Sequence, residues 1–258
     1  MTRWFDSLPF RIGTSSYIIP DDILPNVRYL ADQVKDIELV LFDVDQYCNI
    51  PDPAQQAELK DLADRNGLSY TVHLPLDLNF SDKDRDPSIE KAMKVIRGTR
   101  SLEPFAYVCH LECHDIPSEE GDALRDWQEQ RIRAVNALAE CSGLRSEFVI
   151  ENLERYPIGW NEPVIRACGT HACLDIGHLF VQQIDPVPVM RKWLPLTRVI
   201  HLHGVGTRDH QSLTHMSKEA IGAVLAELLR QNYLGILTLE VFSEEDFRSS
   251  MEMIRECL

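Results

Sequence analysis

The chain has 258 residues, 44% of them hydrophobic, with 26 basic and 41 acidic side chains and a formal net charge of -15. That field repels polyanions and no basic groove offsets it, so nucleic acid is excluded as the favoured partner and a small-molecule substrate is expected. No apolar run approaches the ~20 residues that span a bilayer, and seven scattered cysteines without a CxxC suit free thiols in a reducing compartment. With no signal-like apolar core in MTRWFDSLPF, the expectation is one cytoplasmic α/β domain over residues 1–258.

FRIGT (Phe10–Thr14) reads as a first strand, followed by a helix over 22–34 with Ile23, Val27, Leu30, Ala31 and Val34 at helical spacing. IELVLFD (Ile37–Asp43) is a second strand. Pro51 and Pro53 open a helix that stops at Asn66-Gly67. A third strand ends at His73, a helix covers Ser88–Thr99, and a fourth strand ends near His110. A long helix spans Ser118–Cys141 with Ser118 as its cap. The fifth strand ends at Glu151, a short helix covers Glu162–Cys168, and the sixth strand ends at Asp175. DPVPVMRKWLP holds a short helix. Thr197–His203 is the seventh strand, Ser217–Asn232 an amphipathic helix, and Gly235–Val241 the eighth strand. A last helix starts after Ser243 and ends at Cys257. Strand–helix alternation implies a parallel sheet, and eight units favour closure into a single (β/α)8 TIM barrel. No GxGxxG or GxxxxGK[ST] is present, which argues against a dinucleotide or P-loop enzyme.

The active site of such a barrel lies at the C-terminal ends of its strands. Here those ends carry metal donors: His73, His110, Glu151, Asp175 with His178, His201 with His203, and Glu240. Mixed nitrogen and oxygen donors suit Zn²⁺, Mn²⁺ or Fe²⁺. Carboxylates such as Glu151 and Glu240, each closing an apolar strand, need a partner. D-x-x-H turns Asp175 and His178 toward one point. IHLHG places His201 and His203 on one strand face, with His201 the favoured ligand and His203 facing substrate or standing behind the ligands. Asp209 and His210, in the loop RDHQSLTH, are placed to reach back over the site. Arg208 and Arg155 are candidates for holding a phosphate oxygen. C-H-x-x-C-H around His110 is not read as a zinc site, because alternation puts Cys109 on the face opposite His110. His114, His171 and His215 are read as structural or surface residues.

This pattern resembles the xylose isomerase-like barrels, and within them the metal site of endonuclease IV. That resemblance implies up to three divalent ions on His73, His110, Glu151, Asp175, His178, His201, Asp209, His210 and Glu240. The endonuclease loop reads D-x-H, whereas here Asp209 is directly followed by His210. The related sugar epimerases imply a single metal on Glu151, Asp175, His201 and Glu240, with the two glutamates as the acid/base pair. His73 and His110 move the reading toward a multi-metal hydrolase.

A second set of phrases is longer: FRIGTSSYIIPDDILPNVRYLA, DIELVLFD, YTVHLPLDL, LDIGHL, VIHLHGV, RDHQSL and LTLEVFSEEDFRSS. Over nearly the whole chain they resemble the cobamide-remodelling phosphodiesterase family. The resemblance implies hydrolysis of the nucleotide-loop phosphodiester of a cobamide, giving cobinamide phosphate and the lower-ligand nucleoside. It implies a corrinoid as small-molecule partner and two or three divalent ions, with Zn, Mn, Fe and Co all open. Glu151 is then the bridging, water-orienting carboxylate, and Glu240 and His203 complete the catalytic set. A single-metal sugar isomerase or epimerase is the alternative; an endonuclease IV-like repair enzyme and a non-catalytic corrinoid-binding barrel are less favoured. The loops 15–21, 76–87 and 204–215 are expected to build an open mouth.

Overall fold

The computed structural model describes residues 3–44, 46–80, 87–113 and 121–258. The apolar runs form β1 (Arg11–Ser15), β2 (Asp36–Val40), β5 (Ser69–His73), β6 (Ala106–Cys109), β7 (Phe148–Glu151), β8 (His171–Asp175), β9 (Thr197–Leu202) and β10 (Ile236–Leu239), while the short β3 (Asp43–Val44) and β4 (Tyr47–Cys48) stand apart from them. The eight longer strands pair in parallel and close in the order β1-β10-β9-β8-β7-β6-β5-β2. The expected (β/α)8 barrel is therefore the observed fold.

The helices are α1 (Ile23–Leu30), α2 (Pro53–Asn66), α3 (Ser88–Thr99), α4 (Asp122–Ser142), α5 (Glu162–Cys168), α6 (Ile176–Val181), α7 (Pro186–Trp193), α8 (Lys218–Arg230) and α9 (Glu244–Cys257). Their ends follow local chemistry. Asp52 accepts the N–H groups of Ala54 and Gln55 at 2.8 and 2.9 Å, Pro53 starts α2, and Gly67 closes it at φ 60°. Ser217 and Ser243 cap α8 and α9 in the same way. No helix among the described residues is long and apolar enough to cross a membrane.

Three differences from the sequence reading have a local cause. The second strand stops at Val40, where the Asn49 side chain takes over its hydrogen bonds. Asn49 accepts the Phe42 N–H at 2.6 Å and donates to the Val40 carbonyl at 3.0 Å. The chain then makes the small antiparallel hairpin of β3 and β4 instead of continuing the strand. The first helix ends at Leu30, where Gln33 N–H bonds back to Leu30. α6 is an extra turn of helix, nucleated by the Asp175 carboxylate, which accepts the His178 N–H at 2.6 Å. Ser118, His114 and residues 81–86 of the expected mouth lie outside the described residues.

Most of the core lies between barrel and helices, as with Leu30, Leu59, Leu174 and Phe247. Each such side chain contributes roughly 1.5–3 kcal/mol of burial free energy. The barrel interior is two-sided. Ala106, Val108, Val149, Cys173 and Val199 form a small apolar plug. Across from them, β2, β5 and β10 bury Asp36, Glu38, Thr71 and Thr238. A barrel filled with aliphatic layers has no use for such residues, so the polar half serves the rim above it.

Candidate metal centre

Period-two alternation directs one residue per strand end into the barrel mouth. His73, Glu151, Asp175 and His201 close or nearly close β5, β7, β8 and β9, while His110, His203 and Glu240 lie just beyond β6, β9 and β10. His178 enters from the first turn of α6. His210 comes from the loop after β9, which is folded back by an antiparallel bridge between Gly204 and Gln211. A Cβ at Gly204 would lie 2.0 Å from the Ser212 carbonyl oxygen, so this close approach needs glycine. His210 itself adopts φ 52°, a left-handed conformation. Such strain costs on the order of 1–3 kcal/mol and clusters at functional sites.

Leaving aside one group that includes Cys173, three sets of donor atoms converge, each within 4.8 Å of one another: His73–His110–Glu151, Glu151–Asp175–His201–Glu240, and Asp175–His178–His203–His210. Glu151 is common to the first two and Asp175 to the last two. Glu151 Oε2 lies 3.0 Å from His110 Nε2 and 3.3 Å from His73 Nε2, while its Oε1 is 3.6 Å from His201 Nδ1. The two oxygens of one carboxylate thus face different sets. Cys173 is within reach of Glu151 and His201, but burial pushes its thiol well above the ordinary value.

The donors fit divalent ions on a direct observation. Asp175 Oδ2, His201 Nδ1, His203 Nε2 and Glu240 Oε2 are buried without a hydrogen-bond partner. An unsatisfied buried polar atom costs roughly 1–3 kcal/mol. Three of the four belong to the Glu151–Asp175–His201–Glu240 quartet, where a cation would satisfy them together. The donor set suits Zn, Mn, Fe or Co.

The electrostatics agree. Burial works to raise the Glu151 carboxyl, yet His110 and His201 hold it well below the ordinary range. Burial likewise opposes ionisation of Glu240, which His201 and His210 outweigh. Burial disfavours the charged form of His110, but Glu151 and Glu112 push its imidazole up to about 10. These partners favour the ionised carboxylates, and a cation held among them would displace protons from the imidazoles.

Ring hydrogen bonds distinguish His201 from His203. His203 Nδ1 lies 3.0 Å from the His210 N–H and 3.3 Å from the Gly204 carbonyl. The closer contact is a donor, so Nδ1 accepts and the proton of a neutral ring sits on Nε2, facing Asp175 Oδ1 at 3.4 Å. His203 therefore turns a protonated Nε2 toward Asp175, whereas His201 turns Nδ1 into the quartet, 3.1 Å from Glu240 Oε2.

Asp209 lines the cavity and pairs with His210 at 3.3 Å, but is half-exposed and outside the three sets. Arg155 lines the mouth, paired with Glu154 at 3.3 Å. Arg208 does not line it, because its guanidinium turns back to the Asp209 carbonyl at 3.4 Å. Cys109 packs in the hydrophobic core and belongs to none of the donor sets. His171 binds the Ser146 carbonyl at the start of β8, at the other end of the barrel, and His215 lies beside Gly206. Sequence reasoning missed Glu38, Asn152 and Glu154. Asn152 ties the site together, donating to the Asp175 carbonyl at 3.0 Å and accepting the Asp175 N–H at 2.8 Å. Glu38 was signalled by an acidic side chain in the middle of IELVLFD.

Above the donors opens a cavity of about 920 Å³ whose walls include Tyr17, Ile19, Phe42, Leu76, Leu153 and Phe242. It is a polar floor beneath an apolar, aromatic mouth, the usual composition of a small-molecule site.

Eight parallel strands carrying an acid- and histidine-rich site at their C-terminal ends define the TIM-barrel class. The chain belongs to the xylose isomerase-like TIM barrel family, whose profile matches residues 34–257. No curated protein matches its sequence. Among solved structures, it is similar to a D-tagatose 3-epimerase-like protein, with TM-score 0.78 and 20% identity over 96% of this chain and 97% of that one. It is also similar to endonuclease IV from Thermus thermophilus, with TM-score 0.71 and 17% identity over 96% and 98%. A third is the 3-keto-D-glucoside 4-epimerase YcjR from E. coli, with TM-score 0.71 and 14% identity over 96% and 98%. At these identities the likeness is one of fold.

Proposed function

We propose that this protein is a metal-dependent phosphodiesterase that hydrolyses the nucleotide-loop phosphodiester of cobamides. The observation that carries the hydrolase reading is the chain of three donor sets joined by shared Glu151 and Asp175. A single-metal reaction needs the quartet alone and leaves His73, His110, His178 and His210 without a task. Divalent ions held there would supply an activated water near neutral pH and offset charge on the attacking and leaving oxygens of an in-line displacement.

The protein's own groups do the rest. Glu151 divides its two oxygens between neighbouring sets and orients a water between them. His203, through Asp175, holds the second shared carboxylate in place. Arg155 stands at the mouth for a phosphate oxygen. The apolar wall of Phe42, Leu76 and Phe242 suits a bulky, partly apolar ring system better than a free sugar. The corrinoid itself rests on the resemblance of the long sequence phrases. Incubation with cobalamin and Mn²⁺ or Zn²⁺, followed by mass analysis, is expected to show cobinamide phosphate and the lower-ligand nucleoside. Intact cobalamin under every metal condition would rule the substrate out.

A second reading, a sugar epimerase using one ion on Glu151, Asp175, His201 and Glu240, is favoured by the fold comparisons, in which epimerases predominate. In that reading Glu151 and Glu240 flank the substrate carbon as acid and base. Interconversion of ketose epimers without phosphate release, followed by NMR, is its signature.

A further inference from the structure

The strand β2 contributes no donor to the three sets, yet it buries a carboxylate directly behind one. Glu38 and His201 are both fully buried, with Glu38 Oε2 2.9 Å from His201 Nε2. Among the described residues this is the only ion pair Glu38 makes, and its Oε1 has no hydrogen-bond partner. No competing group draws the carboxylate away from the imidazole. A carboxylate at this distance only accepts, so Nε2 must carry the proton. The lone pair of a neutral His201 then sits on Nδ1, the atom 3.1 Å from Glu240 Oε2, 3.6 Å from Glu151 Oε1 and 3.8 Å from Asp175 Oδ2.

Two of the other rings, His73 and His178, are held differently. His73 Nδ1 donates to the Leu74 carbonyl at 2.7 Å and His178 Nδ1 to the Asn152 carbonyl at 2.9 Å. Those acceptors are neutral backbone groups. His201 is oriented by an anion that arrives from a strand 163 residues away. An anionic acceptor both sets the ring's tautomer and makes its free nitrogen a stronger donor.

We propose that Glu38 is the positioning residue of the quartet: its charged hydrogen bond aims His201 Nδ1 at the cation and strengthens it as a ligand. This rests on the quartet holding a metal ion, whichever substrate is turned over. The test is Co²⁺ titration of metal-free protein, reading affinity and the visible Co²⁺ absorption of the first equivalent, with circular dichroism as the check on folding. Glu38→Ala is expected to weaken binding ~10–100-fold and to alter the spectrum. Glu38→Gln, which keeps shape and an acceptor oxygen but loses the charge, is expected to fall between Ala and wild type; it decides the matter if the alanine variant does not fold. Wild-type affinity and spectrum in Glu38→Gln overturn the proposal. A wild-type chain that binds no Co²⁺ overturns the metal reading beneath it instead.

Discussion

The imidazoles of His203 and His210 stack, with ring centroids 4.1 Å apart and planes 15° from parallel, and His203 Nδ1 accepts the His210 backbone N–H. The loop after β9 is thereby fastened to the strand it leaves. This contact holds His210 in its left-handed conformation and His203 against Asp175.

Gly177 is what gives His203 its place. A Cβ there would lie 2.1 Å from His203 Nε2. Gly177→Ala is expected to displace the ring, loosen Asp175 and His210, and cost roughly 1–3 kcal/mol of stability. Elemental analysis should show fewer ions per chain than wild type, with His73–His110–Glu151 still loaded. Full wild-type occupancy and stability would mean that His203 is not held this way.

Glu151 serves two sets at once. Glu151→Gln is expected to keep the fold, because the barrel ladders do not depend on it, while losing more activity than the ~10–100-fold that removal of an outer partner costs. Steady-state turnover of cobalamin and metal content are the two measurements. Normal turnover would remove Glu151 from the chemistry.

Phe42 stands on the apolar wall, edge-on to Tyr17 with centroids 5.8 Å apart. If the mouth takes a corrinoid, Phe42→Ala should raise KM about tenfold, since an aromatic contact of this kind contributes roughly 0.5–1.5 kcal/mol beyond its burial. Its kcat should hardly change. A variant with unaltered KM for cobalamin would detach this wall from the substrate.

Asp36 gives a pH signature separate from the donors. Burial pushes its carboxyl up to about 7 from the ordinary 3.8, with only partial relief from Ser69, which donates to it at 2.6 Å. The folded state therefore binds this proton more tightly than the unfolded state. The stabilising difference is fully present below about pH 4, is lost as pH rises toward 7, and stays lost above it, on the order of a few kcal/mol. Asp36→Asn should flatten that part of the stability–pH curve and unfold at higher denaturant at pH 8 than wild type. Parallel curves for the two proteins would show that Asp36 is ionised at neutral pH.

Much of the site was legible along the chain because strand ends are local features. A β-branched apolar run followed by His, Asp or Glu identifies both the strand and the side chain at its mouth, as at His73, Glu151 and Asp175. Arg208 and Asp209 read equally well as loop residues facing the site. The structure sends the Arg208 guanidinium away and leaves Asp209 outside the donor sets, since the direction of a loop side chain depends on the turn that carries it.

Spacing and periodicity were enough to specify eight strand–helix units, their parallel closure and which side chains stand at the strand ends, because a period of two or 3.6 is a property of consecutive residues. Tertiary structure alone decided that Glu151 and Asp175 are shared between sets, that His203 turns Nε2 toward Asp175 while His201 turns Nδ1 into the quartet, and that Glu38 stands behind His201. These are contacts between groups far apart in the chain. Barrel closure sets their distances of about 3 to 4 Å, and the hydrogen bond on the far nitrogen of each ring determines which atom remains to bind.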